Sequence, residues 1–352
     1  MIKKKVNRLD NSTDISQDIN LDDVTSWTDN ITWPESIAQT INPQKILEQG
    51  KHPSEMNSVH EHATGKNISI AIIDQRLYLD HPEYSDRIKH YEKVGNWISD
   101  APDYHGSLVV GCAVGKTTGT APDADIYYFA ANNWPPIGKF KHAIAKLFGK
   151  QTLEQGHRAY INMAIRRVLE INKTLPENQK IRFLSCSWGT NKDQFREQSD
   201  ELFDECEKNG IMVLGGYYKP HRNKSIPCNK SGKIILTDGQ DKTEQYKNLV
   251  GIPTDCKTTP YYKDGYMYTK FGGASSTYPY LAGVFACACQ DNEIFFTRAN
   301  WQDDLFQIMQ ETAIQNNNGP KMINPIGIRE RVTQIAREME MNLIKNKRLQ
   351  NE

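Results

Sequence analysis

The sequence predicts an α/β fold in three layers, a mostly parallel central sheet with helices on both faces. Two observations carry this. Short apolar runs recur that are too continuous to leave a solvent face, and a strand buried on both sides belongs in a parallel sheet. Segments with helical apolar spacing alternate with these runs, which supplies the crossovers such a sheet needs. At 352 residues the chain has room for one large domain or two smaller ones, and no linker divides it.

Taken in order, residues 1–32 are polar, rich in Asp and Asn and without periodicity, so they read as a tail. The domain is expected over residues 33–327, its lead-in broken by Pro34, Pro43 and Pro53. The first central strand is Asn67 to Ile73, between Gly65-Lys66 and Asp74. Ala124 to Ala131 is a second strand, followed by a polar stretch from Asn132 to Gly156. Ala159 to Asn172 carries Ile161, Ala164, Ile165, Val168 and Leu169 at helical spacing. Ile181 to Ser185 is a strand, and Gln194 to Lys208 a helix stopped by Asn209-Gly210. Ile211 to Leu214, Ile234 to Leu236 and Leu249 to Ile252 are further strands. From Ile326 a charged helix runs to Leu349, with Ile328, Val332, Ile335 and Met339 on one side, and residues 328–352 are set apart as a C-terminal helix or tail. Docking on the domain is the preferred reading of that helix, self-association the other.

Forty-three basic residues balance forty-three acidic ones, so bulk charge points neither to nucleic acid nor to an anionic membrane. The basic runs at Lys3-Lys4-Lys5 and Lys345-Asn346-Lys347-Arg348 read as solvated ends. No apolar run approaches the ~20 residues of a membrane span, and no apolar stretch follows the N-terminal lysines as in a secretory signal. Seven cysteines, several in apolar surroundings such as FLSCSWG and VFACACQ, read as buried free thiols rather than metal ligands or disulfides. A reducing, cytoplasmic compartment is therefore expected.

Three segments carry chemistry. In IAIIDQRLYLDHPEY, Asp74 ends a buried strand, and functional groups of open parallel sheets gather at carboxyl strand ends. An Asp there also caps turns, which is its structural alternative. In DYHGSLVVG, His105 stands at the start of a small-residue, apolar helix; alone, it would equally be a core or surface histidine. In GGASSTYPYLAG, Ser275 follows two glycines and opens an apolar helix. Its hydroxyl lies at the positive end of a helix dipole, among N–H groups without helical partners, where an oxyanion is stabilised. A simple N-cap serine with Pro279 in the first turns shares these cues.

These segments resemble the subtilisin-like serine peptidases. HGSLVVG is similar to the family's HGTHVAG, and GASSTYPYLAG to its GTSMATPHVAG, with Gly273, Ser275, Pro279, Ala282 and Gly283 in register. That register selects Ser275 over Ser276. IAIID resembles the strand ending in the family's Asp, Asp80-His81-Pro82-Glu83 its HPDL turn, and Thr120 to Ala124 its GVAPDA stretch. Ser187-Trp188-Gly189 resembles the SLG segment and Lys321 to Pro325 the GLIN turn, so the likeness runs from about Gly65 to Pro325. The order is Asp, His, Ser, as in subtilisin.

The resemblance implies a three-layer subtilisin-like fold and a serine endopeptidase with catalytic Asp74, His105 and Ser275. It implies a peptide or protein substrate bound in extended form between Ser187-Trp188-Gly189 and Leu214-Gly215-Gly216. It allows calcium, although no acidic cluster singles out ligands and no other cofactor is identifiable. Departures are concentrated at the oxyanion site. The family's Asn has no counterpart in register after Ile211 to Gly216, which leaves Tyr217, Tyr218 or the later Asn223 beside the Ser275 backbone N–H. Loss of one such donor costs roughly 10²–10³ in turnover. Gln75-Arg76 replaces a small residue and glycine after Asp74, so the turn there must differ. Leu108 and Tyr280 stand where the family often has His, and Trp188 reshapes the substrate wall.

Two alternatives within the fold remain open: a catalytically weak or inactive binding scaffold, and an acyl transferase of peptide processing in which an amine displaces the acyl-enzyme. Outside it, Gly111 to Thr117 (GCAVGKT) has only three residues between its glycines, one too few for a phosphate loop. His60-Glu61-His62 lacks the spacing of a metalloprotease.

Overall fold

In the computed structural model of the chain, the described residues are 39–40, 63–95, 104–131, 153–187, 194–215, 234–236, 250–252, 256–258, 267–271, 273–314 and 321–350. The expected polar tail, residues 1–32, lies outside them, as do His60, Glu61 and His62.

A short strand β1 (Gln39–Thr40) precedes the first central strand, β2 (Ser69–Asp74). Then come β3 (Ile88–Val94), α1 (Tyr104–Val114), β4 (Asp125–Ala131), α2 (Leu153–Thr174), β5 (Ile181–Cys186), α3 (Gln194–Lys208) and β6 (Met212–Gly215). These strands form a five-stranded, all-parallel sheet in the order β3-β4-β2-β5-β6. Every residue of β2 is buried, as the unbroken apolar run requires of a strand with neighbours on both edges and helices on both faces.

Beyond β6 lie β7 (Ile234–Leu236), β8 (Val250–Ile252), β9 (Cys256–Thr258) and β10 (Met267–Phe271). They are followed by α4 (Gly273–Cys289), α5 (Trp301–Thr312), β11 (Lys321–Met322) and α6 (Pro325–Gln350). Two small sheets result, β11-β8-β7, which is parallel, and β1-β10-β9, which is antiparallel.

The main sheet separates two cores. Ile70, Ile72, Tyr128, Phe183 and Leu214 face one way, into a cluster with Val109 and Ala113 of α1 and Leu281 and Phe285 of α4. Ala71, Ile73, Phe129, Leu184 and Val213 face the other way, onto Ile165 and Val168 of α2 and Leu202 and Phe203 of α3. This is the period-2 alternation of strands in a three-layer sandwich. Helix α6 docks through Ile328, Val332 and Ala336, whereas residues 341–350 are exposed throughout.

Several elements differ from expectation. Helix α2 starts at Leu153, inside the stretch read as polar loop, because Glu154 and Gln155 are good helix formers and one glycine does not end a helix. Strand β3, with sequence IKHYEKV, carries charges because it lies at the sheet edge and is half exposed. Strands β9 and β10 carry no distinctive period-2 signal in the sequence, whereas helix α5, not among the expected elements, follows Asn300 with Trp301, Leu305, Phe306, Ile308 and Met309 at helical spacing. Five of the seven cysteines (112, 186, 206, 287 and 289) are buried and unbridged, in line with the reading from their apolar contexts.

Candidate active site

Asp74 closes β2, and its carboxylate is fully buried. Gln75 turns the chain so that its N–H donates to Asp74 Oδ1 at 2.7 Å. The same oxygen lies 2.6 Å from His105 Nδ1. His105 is the second residue of α1 and is 3% exposed. The Phe271 ring meets its imidazole edge-on, with centroids 5.4 Å apart.

What lets the helix start approach this closely is Gly106. A Cβ there would lie 2.7 Å from the Gln75 carbonyl oxygen and would overlap the Tyr128 hydroxyl. The His-Gly pair therefore has a steric meaning, since any side chain after His105 would push α1 off the turn that follows Asp74.

A second brace comes from the turn after β2. His81 Nδ1 accepts from Glu83 N–H at 3.2 Å, and its ring stacks on Tyr84 at 4.7 Å. Tyr84 donates to Ser107 Oγ at 2.9 Å, two residues beyond His105. The buried Glu83 accepts from Thr117 N–H and Thr117 Oγ1, each at 2.9 Å, while its carbonyl accepts from Lys116 N–H at 3.0 Å. Burial raises the Glu83 pKa, and the Thr117 bonds and the Lys116 charge oppose it. Both ends of α1 are thus tied to the His81–Tyr84 turn. These contacts also dispose of the phosphate loop. Gly111 to Val114 form the last turn of α1, and Gly115 to Thr117 wrap around a carboxylate.

Ser275 is the third residue of α4 and is 4% exposed. Its N–H falls in the first turn, where helical N–H groups have no acceptor within the helix. Pro279, four residues on, has no N–H to give to the Ser275 carbonyl. That carbonyl accepts instead from Ser187 Oγ at 3.4 Å, which ties the end of β5 to the first turn of α4. Farther along α4, a Cβ on Gly283 would overlap Thr120, so α4 seats closely against the loop leaving α1.

Of the predicted substrate-binding residues, Ser187 lies beside Ser275, and Gly215 pairs with Cys186 on the next strand. A Cβ on Gly215 would be 3.2 Å from the Cys186 carbonyl oxygen. The Leu214 side chain is buried in the core beneath, which leaves its backbone to any groove above. Trp188, Gly189, Gly216 and the oxyanion alternatives Tyr217, Tyr218 and Asn223 lie outside the described residues. Among the described residues, no group of His, Cys, Asp and Glu could hold a metal ion, and no helix is long and apolar enough to cross a membrane.

Sequence reasoning missed Tyr84, Ser107, Thr117 and Tyr128. A signal existed for Tyr128: a tyrosine in a strand buried on both faces must bring a partner to its hydroxyl.

Among solved structures, fervidolysin from Fervidobacterium pennivorans, a keratinolytic enzyme related to subtilisin, superposes with a TM-score of 0.52 at 15% identity, over 78% of this chain and 45% of that one. The prenylagaramide maturation protease PagA superposes with a TM-score of 0.51 at 14% identity, over 79% of this chain and 98% of that one. The PatG macrocyclase domain does so at 0.51 and 13%, over 79% of this chain and 94% of that one. At such identities the likeness is one of fold, and no curated protein sequence is significantly similar. The sequence profile of the Subtilase family, however, matches residues 65–328, three-quarters of the chain. That stretch holds Asp74, His105 and Ser275 and both braced ends of α1, and the chain belongs to the Subtilase family.

Proposed function

We propose that the protein is a serine endopeptidase that cleaves peptide bonds through an acyl-enzyme on Ser275, with Asp74 and His105 as its partners. The observation that carries this reading is the buried Asp74–His105 contact of 2.6 Å, on a helix packed against the one that Ser275 opens. Asp74 holds the imidazole in the tautomer with Nδ1 protonated, so Nε2 is the basic nitrogen. His105 takes the Ser275 proton as Oγ attacks the carbonyl, then returns it to the leaving amine. The Ser275 N–H and the positive end of α4 stabilise the tetrahedral oxyanion. The substrate lies extended along the ends of β5 and β6, near Ser187 and Gly215, whose backbones can pair with it.

The acyl-enzyme is open to water or to an amine. Product mass separates the two, since hydrolysis adds water and ring closure or transpeptidation does not. The direct test is labelling by a fluorophosphonate probe, read by intact mass, on wild type and Ser275→Ala. A single adduct on wild type alone supports an activated Ser275. If neither protein is labelled while subtilisin is, the scaffold reading takes the place of the peptidase.

A further inference from the structure

We propose that Tyr128 is a positioning residue for the Asp74–His105 pair, holding from behind the turn that supplies Asp74 with its second donor. Tyr128 lies in the middle of β4, paired with Ile72 of β2 and Tyr91 of β3. It is fully buried, and its ring stacks on Tyr91 with centroids 5.8 Å apart and planes 13° apart. Its hydroxyl donates to the Gln75 carbonyl. The N–H of that same residue donates to Asp74 Oδ1 at 2.7 Å, beside the His105 contact at 2.6 Å. One phenol therefore fixes the residue whose N–H and the imidazole share a carboxylate oxygen.

The arrangement answers a peculiarity of this chain. Gln75-Arg76 follows the aspartate, with side chains on both residues, so the turn needs an external anchor. Tyr128 supplies it, and the missing side chain at Gly106 lets the hydroxyl reach across the start of α1. Tyr128 is not a catalytic residue, since its bond ends on the turn and not on the reacting groups.

The consequence has a sign. Without the phenol the Gln75–Arg76 peptide is released, and Gln75 N–H spends less time on Asp74. A carboxylate with fewer donors keeps more of its charge and favours the imidazolium more strongly, so the His105 pKa rises. Besides Asp74, the packed elements carry Arg76, His81, Glu83 and Tyr84 in the turn after β2, Cys112 in α1, and Tyr127 and Tyr128 in β4. Tyr128→Phe changes no charge among them.

The experiment is an NMR titration of the ¹⁵N-labelled His105 imidazole in wild type, Tyr128→Phe and Ile165→Ala. Ile165 lies in the core on the opposite face of the sheet, so its truncation lowers stability without touching the turn. The expected result is a rise of about 0.5–1 pH unit in Tyr128→Phe alone. No shift in Tyr128→Phe, or an equal shift in Ile165→Ala, overturns the proposal. Hydrogen exchange of the Gln75 amide reads its bond to Asp74 directly and is compared in wild type, Tyr128→Phe and Ile165→Ala. Faster exchange in Tyr128→Phe alone supports the anchor, and equal exchange in wild type and Tyr128→Phe overturns it. The catalytic consequence rests on the peptidase reading: the acid limb of fluorophosphonate labelling should move up with the pKa. Should wild type show no labelling while the titration shift is present, the peptidase reading fails and the positioning role stands.

Discussion

The two faces of the central sheet are built on different principles. On the face away from the site, α2 and α3 are amphipathic, burying Ile161, Ile165, Val168, Leu202 and Phe203 and turning Arg166, Glu170, Glu201 and Lys208 to solvent, with Asp200 the buried exception among the described charges of α3. On the site face, α1 and α4 are buried nearly all round, and glycines let their backbones come close at Gly106 and Gly283, among larger side chains such as Val109, Leu281 and Phe285. The first face is stabilised by burying large side chains. The second uses close backbone approach to hold three polar side chains in apolar surroundings, which costs free energy unless each is hydrogen-bonded. Substitutions on the two faces should therefore fail differently.

The largest expected effect is on the site face. Ser275→Ala and His105→Ala should each lower peptide-hydrolysis turnover by about 10⁶-fold, with little change in melting temperature for Ser275→Ala and a lower one for His105→Ala, which leaves the buried Asp74 without its partner. A loss below tenfold in initial-rate assays on a peptide substrate would remove these residues from the mechanism. On the opposite face, Ile165→Ala and Leu202→Ala should cost about 2–5 kcal/mol in urea denaturation. Their labelling rate per folded molecule should stay at the wild-type value. A rate that fell in parallel with stability would mean that the two faces are not independent.

Overpacking comes next in size. Gly283→Ala puts a methyl group against Thr120 and should cost about 1–3 kcal/mol. Gly106→Ala forces α1 away from the Gln75 turn, so it should lose labelling beyond its loss of stability. Rates normalised to folded fraction separate the two variants.

The smallest effect concerns Glu83, whose folded pKa is raised by burial against the bonds from Thr117. A carboxyl with a raised folded pKa binds its proton more tightly when folded. Its favourable term is complete below the unfolded pKa and is lost as pH rises through the folded one. Glu83→Gln removes that titration. The stability difference, variant minus wild type, should shift in the variant's favour between acid and neutral pH, as read by thermal melts over that range. A constant difference would mean that the Thr117 bonds hold the pKa at its ordinary value.

Legibility in the sequence followed the same division. Helices α2 and α3 were readable from their 3.6-residue apolar period, because one side of each faces water. The buried helices have no polar side to set a period, and they were found only through the glycine, serine and proline patterns that close packing requires. Edge strand β3 was missed because half-exposed IKHYEKV looks like a charged loop, whereas α5 carried the same one-sided apolar spacing as α2 and α3 and was legible in principle. Asp74, His105 and Ser275 were singled out by strand-end and helix-start placement together with family resemblance.

By itself the sequence determined the layers, the residues that line them and the three polar groups of the candidate site. These rest on local patterns: apolar continuity, helical period, and glycines where a backbone must come close. Only the tertiary structure decided what holds those groups. Tyr128 meets the Gln75 turn across 53 residues and Ser187 meets the Ser275 carbonyl across 88, while Tyr84 and Glu83 clamp the two ends of α1. The reason is physical: a buried polar atom must find a partner, and in a parallel sheet with long crossovers that partner comes from wherever the folded chain brings a donor within about 3 Å.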